Sequence, residues 1–542
     1  MEGVGLSPSG CRRELGLAWA LALLVRGISA ARAESLWPDG VIELEQAAAF
    51  AAGDWRQGIA PGFHPLYSLL VAGLAALGAP LLIAAQVVAV SLSALVAPLS
   101  AASAVRLLPT EAGPARARQV ALAAGAIAAL LPLLARLGGQ VLAYGPAHAA
   151  LAGALCAALG VASRSGSPPA RELPWSLGAG AAVGLGYLCR SDALTTGAGL
   201  AVGLGLVPGQ LPRRLARLGA FGAGLLLCAL PYLVAMRAHA GEWRLSLKKE
   251  AGVLLRPPTA ASAPPPAPGA ALTLAQQVRL EELGGDRRAL APVWGYPAGE
   301  SAGFAARKLL GAAHPLAAAL ALTGALLSLR GRPRRGLPHL ALPLLALLGG
   351  WAGQTLLRAN FGYTGRIHAS FAGVLVAPLA GVGLVLACQR LAAWRGWPAR
   401  PLRTAALLGA ALALLPGALE PQRAGRGEEA PVGRALRQRA GPGPLLICGR
   451  DARPCAWFAG AGYLDIPPGP PAQALAAARA AGARFLLVHL RWFGQRPGEL
   501  EQALSEAGLG PPVLERTCRE GAQGVRYGWL AWDLRPPPAG RR

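Results

Sequence analysis

Residues 367–389 read IHASFAGVLVAPLAGVGLVLACQ, with no Asp, Glu, Lys or Arg among them. A helix needs roughly 20 predominantly apolar residues to cross the hydrocarbon core of a bilayer, and this run is long enough. The same reading recurs outward along the chain, over about 15–36, 82–105, 119–136, 145–163, 175–189, 193–208, 219–237, 309–329, 337–357 and 403–418. Together these predict an all-α polytopic membrane bundle of about eleven transmembrane helices.

Composition agrees. The chain has 542 residues, 54% of them hydrophobic and only 15% charged, and its mean hydropathy is +0.41. Soluble domains carry roughly 25% charged residues, and disordered chains are polar rather than apolar. The net charge of +25 comes almost wholly from Arg, since the only Lys are Lys248, Lys249 and Lys308. With 72 Gly and abundant Ala, this reads as the drift of a GC-rich genome plus topology-setting loop charges. No basic stripe interleaved with aromatics is present, so no nucleic-acid partner is expected.

Loop charge sets the expected topology. The basic loops 106–118, 164–174, 209–218, 330–336 and 390–403 fall on one side, which obeys the positive-inside rule. The loops 37–64, 137–144, 190–192, 238–303 and 358–366, and everything after 419, then face outward. The first run carries a basic flank at Arg12-Arg13 and reads as an uncleaved span, the alternative being a leader cleaved near Ala31-Arg32-Ala33. Arg26 within it either snorkels outward or faces a catalytic cavity. The short run from Leu66 to Leu77 reads as an interfacial helix, because counting it as a span would invert every later loop.

Two domains are expected: a membrane domain over 1–420, with a first outer loop at 37–64 and a large one at 238–303, and an extracytoplasmic α/β domain over 421–542. In the latter, 444–448 and 484–489 read as strands and 471–482 as a helix. Of the eight Cys, Cys156, Cys189, Cys228 and Cys388 lie in apolar runs. Cys448 and Cys455 can pair if this domain is outside the cytoplasm.

The first outer loop is dense in acids for this chain: Asp39, Glu43, Glu45 and Asp54. Ionisable groups beside a span are functional candidates. Asp39 and Glu43 are four apart and share a face if a helix starts at Pro38. The plainer reading is a solvated loop with Asp39 as a helix cap.

The order Trp37-Pro38-Asp39, a helix, Gly53-Asp54-Trp55, then His64-Pro65-Leu66-Tyr67 resembles family 39 glycosyltransferases. These GT-C membrane enzymes include protein O-mannosyltransferases and the aminoarabinose transferase of lipid A. Gly184 to Arg190 resembles the family's small-residue span ending in a basic residue, and Tyr363 to His368 its late aromatic and basic segment. The resemblance implies transfer of a sugar from a polyprenyl-phosphate donor to a protein, lipid or glycan hydroxyl outside the cytoplasm of a bacterial cell, from its inner membrane. It implies Asp39 as general base, and His64, Arg190 and Arg366 as partners of the donor phosphate. Glu43, Asp192, Lys248, Lys249 and His368 are supporting candidates. Asp192 either pairs with Arg190 or replaces a missing acid. The chain departs from the family in having Gly40 after Asp39 and no acid across 140–146, so no metal or other cofactor is expected. A transporter or flippase of lipid-linked glycans is the rival reading. It would place charges at mid-span and often show internal repeats, whereas here the acids cluster in one outer loop, most spans lack charges and no repeat is seen.

Overall fold

The computed structural model describes residues 8–60, 62–246, 298–331, 333–361, 365–421, 428–449, 452–465, 471–489, 502, 504–506, 509–520 and 526–535. Lys248 and Lys249 lie outside the described residues. The described chain divides into two compact units, one of residues 8–32, 42–246 and 298–420, the other of 33–41 and 421–535.

The first unit is helical. Its elements are α1 (Arg12–Ala31), α2 (Pro38–Ala51, whose first turn lies in the second unit), α3 (Trp55–Ile59), α4 (Leu66–Ala76), α5 (Leu81–Ala94), α6 (Val96–Leu107), α7 (Gly113–Leu130), α8 (Pro132–Gly138) and α9 (Tyr144–Ala162). They continue with α10 (Leu173–Cys189), α11 (Ala193–Leu206), α12 (Leu211–Ala240), α13 (Ala298–Ala313), α14 (Pro315–Gly331), α15 (Pro333–Phe361), α16 (Phe371–Arg395) and α17 (Ala399–Ala418).

All eleven apolar runs carry helix, yet among the described residues seven helices are long and apolar enough to cross a membrane, or nine if two bent pairs each count once. The other two runs form α10 and α11, of 17 and 14 residues, which fall short by length. One bent pair turns by 63° between α7 and α8, at Pro132. The other turns by 95° between α13 and α14, so the run expected over 309–329 is split at His314. The central span, α16, is 89% buried within the protein.

Apolar side chains gain nothing by leaving lipid for one another, so helices in a bilayer associate through close packing of small residues. Three reciprocal glycine pairs do this here. A Cβ on Gly180 would lie 1.8 Å from the Phe221 carbonyl oxygen, and one on Gly224 2.1 Å from that of Leu177, which joins α10 to α12. Gly199 and Gly349 join α11 to α15, where added Cβ atoms would meet the Leu345 and Thr195 carbonyls at 2.0 and 2.3 Å. Gly383 and Gly324 join α16 to α14, with the Leu320 and Leu379 carbonyls at 1.8 and 2.3 Å. In each pair the neighbour is backbone, which cannot swing aside.

Arg26 neither snorkels nor faces a cleft. It is wholly buried in α1. Its guanidinium donates long hydrogen bonds, at 3.5 Å, to the carbonyls of Ala129 and Ala128. These close α7 at the break, where Pro132 has no N–H to offer Ala128. The charge thus sits on the negative end of a broken helix. At the end of α8, a Cβ on Gly138 would lie 2.5 Å from the Ser93 hydroxyl, and one on Gly139, the next residue, 2.8 Å from the Ala30 nitrogen.

The second unit holds α18 (Glu429–Ala440), β1 (Leu446–Gly449), α19 (Arg453–Phe458), β2 (Gly462–Asp465), α20 (Pro471–Ala480), β3 (Phe485–His489), β4 (Leu514–Glu520) and β5 (Arg526–Asp533). The sheet order is β2-β1-β3-β5-β4. β1 runs parallel to β2 and β3, and β5 antiparallel to β3 and β4. Ile447, Phe485, Leu487 and Trp529 face α18 and α19, while Cys448, Leu486, Val488 and Trp532 face α20. Cys455 packs with the first set, so Cys448 and Cys455 lie on opposite faces of the sheet, and no disulfide joins them. Ser35 joins this unit by donating a hydrogen bond to buried Glu429, at the start of α18.

Gly383→Ala should cost roughly 1–3 kcal/mol by overpacking the seam, read as a lower Tm in detergent. Arg26→Met should cost a similar ~1–3 kcal/mol by leaving buried carbonyls unmet, and Arg26→Lys should recover part of that loss in the same assay.

Candidate functional site

Three helices of the first unit begin around one cleft. Its lining includes Tyr144 and His148 from the start of α9, Asp192 and Thr196 from the start of α11, and Ser370 and Phe371 from the start of α16. Arg190 and His368 complete its polar wall, and the cleft has an empty volume of about 310 Å³. Each helix start carries a partial positive charge, and helix starts are ready anion-binding ends.

Arg190 ends α10 in extended backbone, φ −158°. Its guanidinium lies 3.7 Å over the Tyr144 ring, and its Nε donates to the Asp192 carboxylate at 3.2 Å. The two residues therefore pair, as the simpler of the two sequence readings held. Asp192 lies in the short link between α10 and α11 and is partly exposed. Burial pushes its carboxyl up, but the Arg190 charge and hydrogen bond, with His368 and His148, outweigh this and hold it below the ordinary carboxylate range.

The two imidazoles are fixed from behind. The Ser370 hydroxyl gives its proton to the Ile367 carbonyl at 2.6 Å. His148 Nε2, 2.7 Å from the same oxygen, is then the donor of that contact. His368 Nδ1 accepts from the Gly365 N–H at 3.0 Å, which places its proton on Nε2. Gln354 holds the same turn by donating to the His368 carbonyl at 3.0 Å.

Glu43 reaches the cleft's edge from α2. It is 4% exposed, and its two carboxylate oxygens accept from the Ala143 N–H at 3.3 and 3.1 Å. Ala143 is the residue from which α9 starts. Glu43 is thus a charged cap on the helix that carries Tyr144. α2 is anchored in turn: the single Ser68 hydroxyl proton is shared between Gln46 Oε1 at 2.7 Å and the Glu43 carbonyl at 3.0 Å, and Gln46 Nε2 donates to the Phe63 carbonyl at 3.0 Å.

The structure brings together Arg190, Asp192 and His368, with Glu43 behind them. It does not add His64, Arg366 or Asp39 to that lining. His64 is buried between aromatic rings, 4.9 Å from Tyr187 and 5.4 Å from Tyr232. Arg366 is exposed beside α13, with Nη2 3.5 Å from the Gly311 carbonyl. Asp39 is exposed in the first turn of α2, one helical turn before Glu43. Tyr67, which reads as an interfacial anchor, is instead 1% exposed and donates to the Ala85 carbonyl at 3.0 Å. Tyr144 and His148 are the site residues the sequence does not single out. Their only signal is Gly145-Pro146, a helix start after an apolar stretch. Among the described residues no three His, Cys, Asp or Glu stand together as a metal-binding group.

No family model matches the chain, and no curated protein matches it by sequence. Its structure does match solved ones. ArnT from Cupriavidus metallidurans bound to undecaprenyl phosphate superposes with a TM-score of 0.56 at 15% identity, over 97% of this chain and 99% of that one. The apo form of the same protein gives 0.53 at 15% identity, over 96% and 98%. The apo oligosaccharyltransferase of Archaeoglobus fulgidus gives 0.50 at 12% identity, over 88% of this chain and 69% of that one. The likeness is one of architecture: the chain has the fold of GT-C membrane glycosyltransferases, the class that its first loop resembles. It is a multi-pass membrane protein on its own apolar helices.

A carboxyl whose folded pKa lies below its unfolded one stabilises the fold above the unfolded value, and that contribution is lost as pH falls through the folded one. Asp192→Asn should therefore lower stability by about 1 kcal/mol or less at neutral pH, as for a partly exposed pair. In melting curves taken at stepwise lower pH, the gap to wild type should stay constant down to the ordinary carboxylate range and close below it.

Proposed function

We propose that the protein is an integral-membrane glycosyltransferase that moves a sugar from a polyprenyl phosphate to a hydroxyl of a protein, lipid or glycan at the outer face of a bacterial inner membrane. The observation that carries this reading is the cleft where three helices begin around Arg190. It is built for an anion at the end of membrane-buried helices, and a lipid-linked phosphate is an anion delivered there. The undecaprenyl phosphate bound by the structurally similar ArnT is a donor carrier of this kind.

In the reaction, the acceptor oxygen attacks the anomeric carbon and the bond from that carbon to the phosphate oxygen breaks. The bonding pair stays on the phosphate, and the sugar inverts. Arg190 and the helix starts stabilise the charge gathering there, with Arg366 and His64 as further candidates and no metal in the scheme. Asp39 takes the acceptor's proton. Its exposure on the first turn of α2 supports this assignment, whereas Glu43 is committed to the α9 amide and positions rather than reacts. The second unit is an extracytoplasmic domain over 421–542 on this reading.

The test is lipid mass spectrometry on the native host, with Asp39→Asn protein shown to be folded and inserted. Transfer should fall by roughly 10²–10⁴, the usual contribution of a general base, and one polyprenyl-phosphate sugar should accumulate, naming the donor. A variant that restores a deletion strain and leaves the lipid-linked sugar pool unchanged would show that Asp39 is not the base.

A further inference from the structure

The helices α9 and α10 carry Tyr144 and Arg190 at one end. Their other end carries a second cationic cluster that the reaction does not use. Two guanidinium groups lie over one indole: Arg106 is 4.8 Å and Arg164 4.5 Å from the centre of the Trp175 ring. Arg106 closes α6, Arg164 follows α9, and Trp175 opens α10. The indole is seated closely, since a Cβ on Gly160 would lie 2.6 Å from its Cε3. α9 has 19 residues, so at 1.5 Å per residue the two ends stand about 28 Å apart, close to the thickness of a bilayer core.

Neither arginine has a carboxylate partner among the described residues. Arg106 donates one hydrogen bond, to Cys156 Sγ at 2.6 Å, and Arg164 donates one to the Gly160 carbonyl at 2.9 Å. A guanidinium has five N–H donors, so most of the donors in this cluster are unused by the protein. Elsewhere on the same loops, charge is handled differently: Glu172 is wholly buried and pairs with both Arg213 and Arg217. The two guanidinium groups share one ring and repel each other, and both arginines are half-buried. An anion between them would remove the repulsion and take up the idle donors.

We infer that Arg106, Arg164 and Trp175 form a binding site for the phosphate of an acidic phospholipid, in the leaflet opposite the catalytic cleft. Guanidinium forks fit phosphate oxygens, and an indole at a helix end fits the headgroup level of a bilayer. Trp175 opens α10, at the depth where a span meets the headgroups, which suits the phosphate of a lipid rather than a soluble one. The site holds a lipid independently of the sugar transfer, so failure here leaves the transferase reading intact.

The probe is phosphatidylglycerol. The full chain is reconstituted into phosphatidylcholine nanodiscs doped with it, re-extracted in mild detergent, and weighed with its retained lipids by native mass spectrometry. Wild type should retain phosphatidylglycerol in preference to phosphatidylcholine. Arg106→Gln/Arg164→Gln should lose that preference by roughly tenfold or more, as expected for two interfacial charges. Arg171→Gln, an exposed charge on the same side, controls for bulk attraction and should change nothing. Circular dichroism and the Tm without phosphatidylglycerol keep a folding defect distinct. Equal retention by wild type and the folded double variant would overturn the site, as would an Arg171→Gln loss of the same size. Displacement of the lipid by millimolar inorganic phosphate would make the occupant a soluble anion and overturn the lipid assignment.

Discussion

Backbone in a bilayer has no water to answer its polar groups, and each helix end must find another partner. Much of this structure follows from how those ends are met. α7 breaks at Pro132, and a buried arginine from α1 is brought to the carbonyls the break releases. α9 starts six residues after α8 ends, and a buried glutamate from α2 is brought to its first amide. Both charges are buried, and both would be costly if unpaired. Facing the opposite poles of helices, they become fasteners that fix where α9 begins. Tyr144 is its first residue, so the floor beneath Arg190 depends on them.

The cleft uses the same physics with fewer internal answers. The start of α9 is met by Glu43, whereas Asp192 precedes α11 without capping its amides and is held by Arg190 instead. α16 starts at Ser370, without an acid in its first turn. Arg190, the imidazoles of His148 and His368 and the three helix starts thus face a single lining carboxylate, Asp192. That imbalance suits an anion. At the far end of α9 and α10, Arg106 and Arg164 show a similar imbalance around Trp175, and there a resident lipid can satisfy it for as long as the protein is folded.

How legible this was in the sequence varies by element. Hydropathy located every apolar run, because length and lack of charge suffice for a span. It did not show that the 309–329 run breaks at His314, which takes a left-handed φ of 64° before Pro315. Apolar composition on both sides hides a 95° corner. In the second unit, β1, α20 and β3 were visible as apolar or alanine-rich stretches, but β4 reads LERTCRE and β2 reads GYLD with mostly exposed positions, so neither stands out. In the site, the Arg190–Asp192 pair is local and was open to reading. The cap from Glu43 to Ala143 joins residues 100 apart, and nothing in either neighbourhood announces the other.

The glycine pairs bear on how such a molecule moves. Helices in backbone contact do not slide past one another without clashing and lose close packing if they part, so α10 with α12, α11 with α15, and α14 with α16 behave as three stiff plates. Arg190 and Asp192 sit on the link between the first plate and the second, and Ser370 and Phe371 open the third. The cleft is therefore a joint: α9 supplies one wall, and its width changes when plates pivot on the short links between them. The stiffness of those links, Arg190 to Asp192 among them, then sets how readily the cleft changes its width.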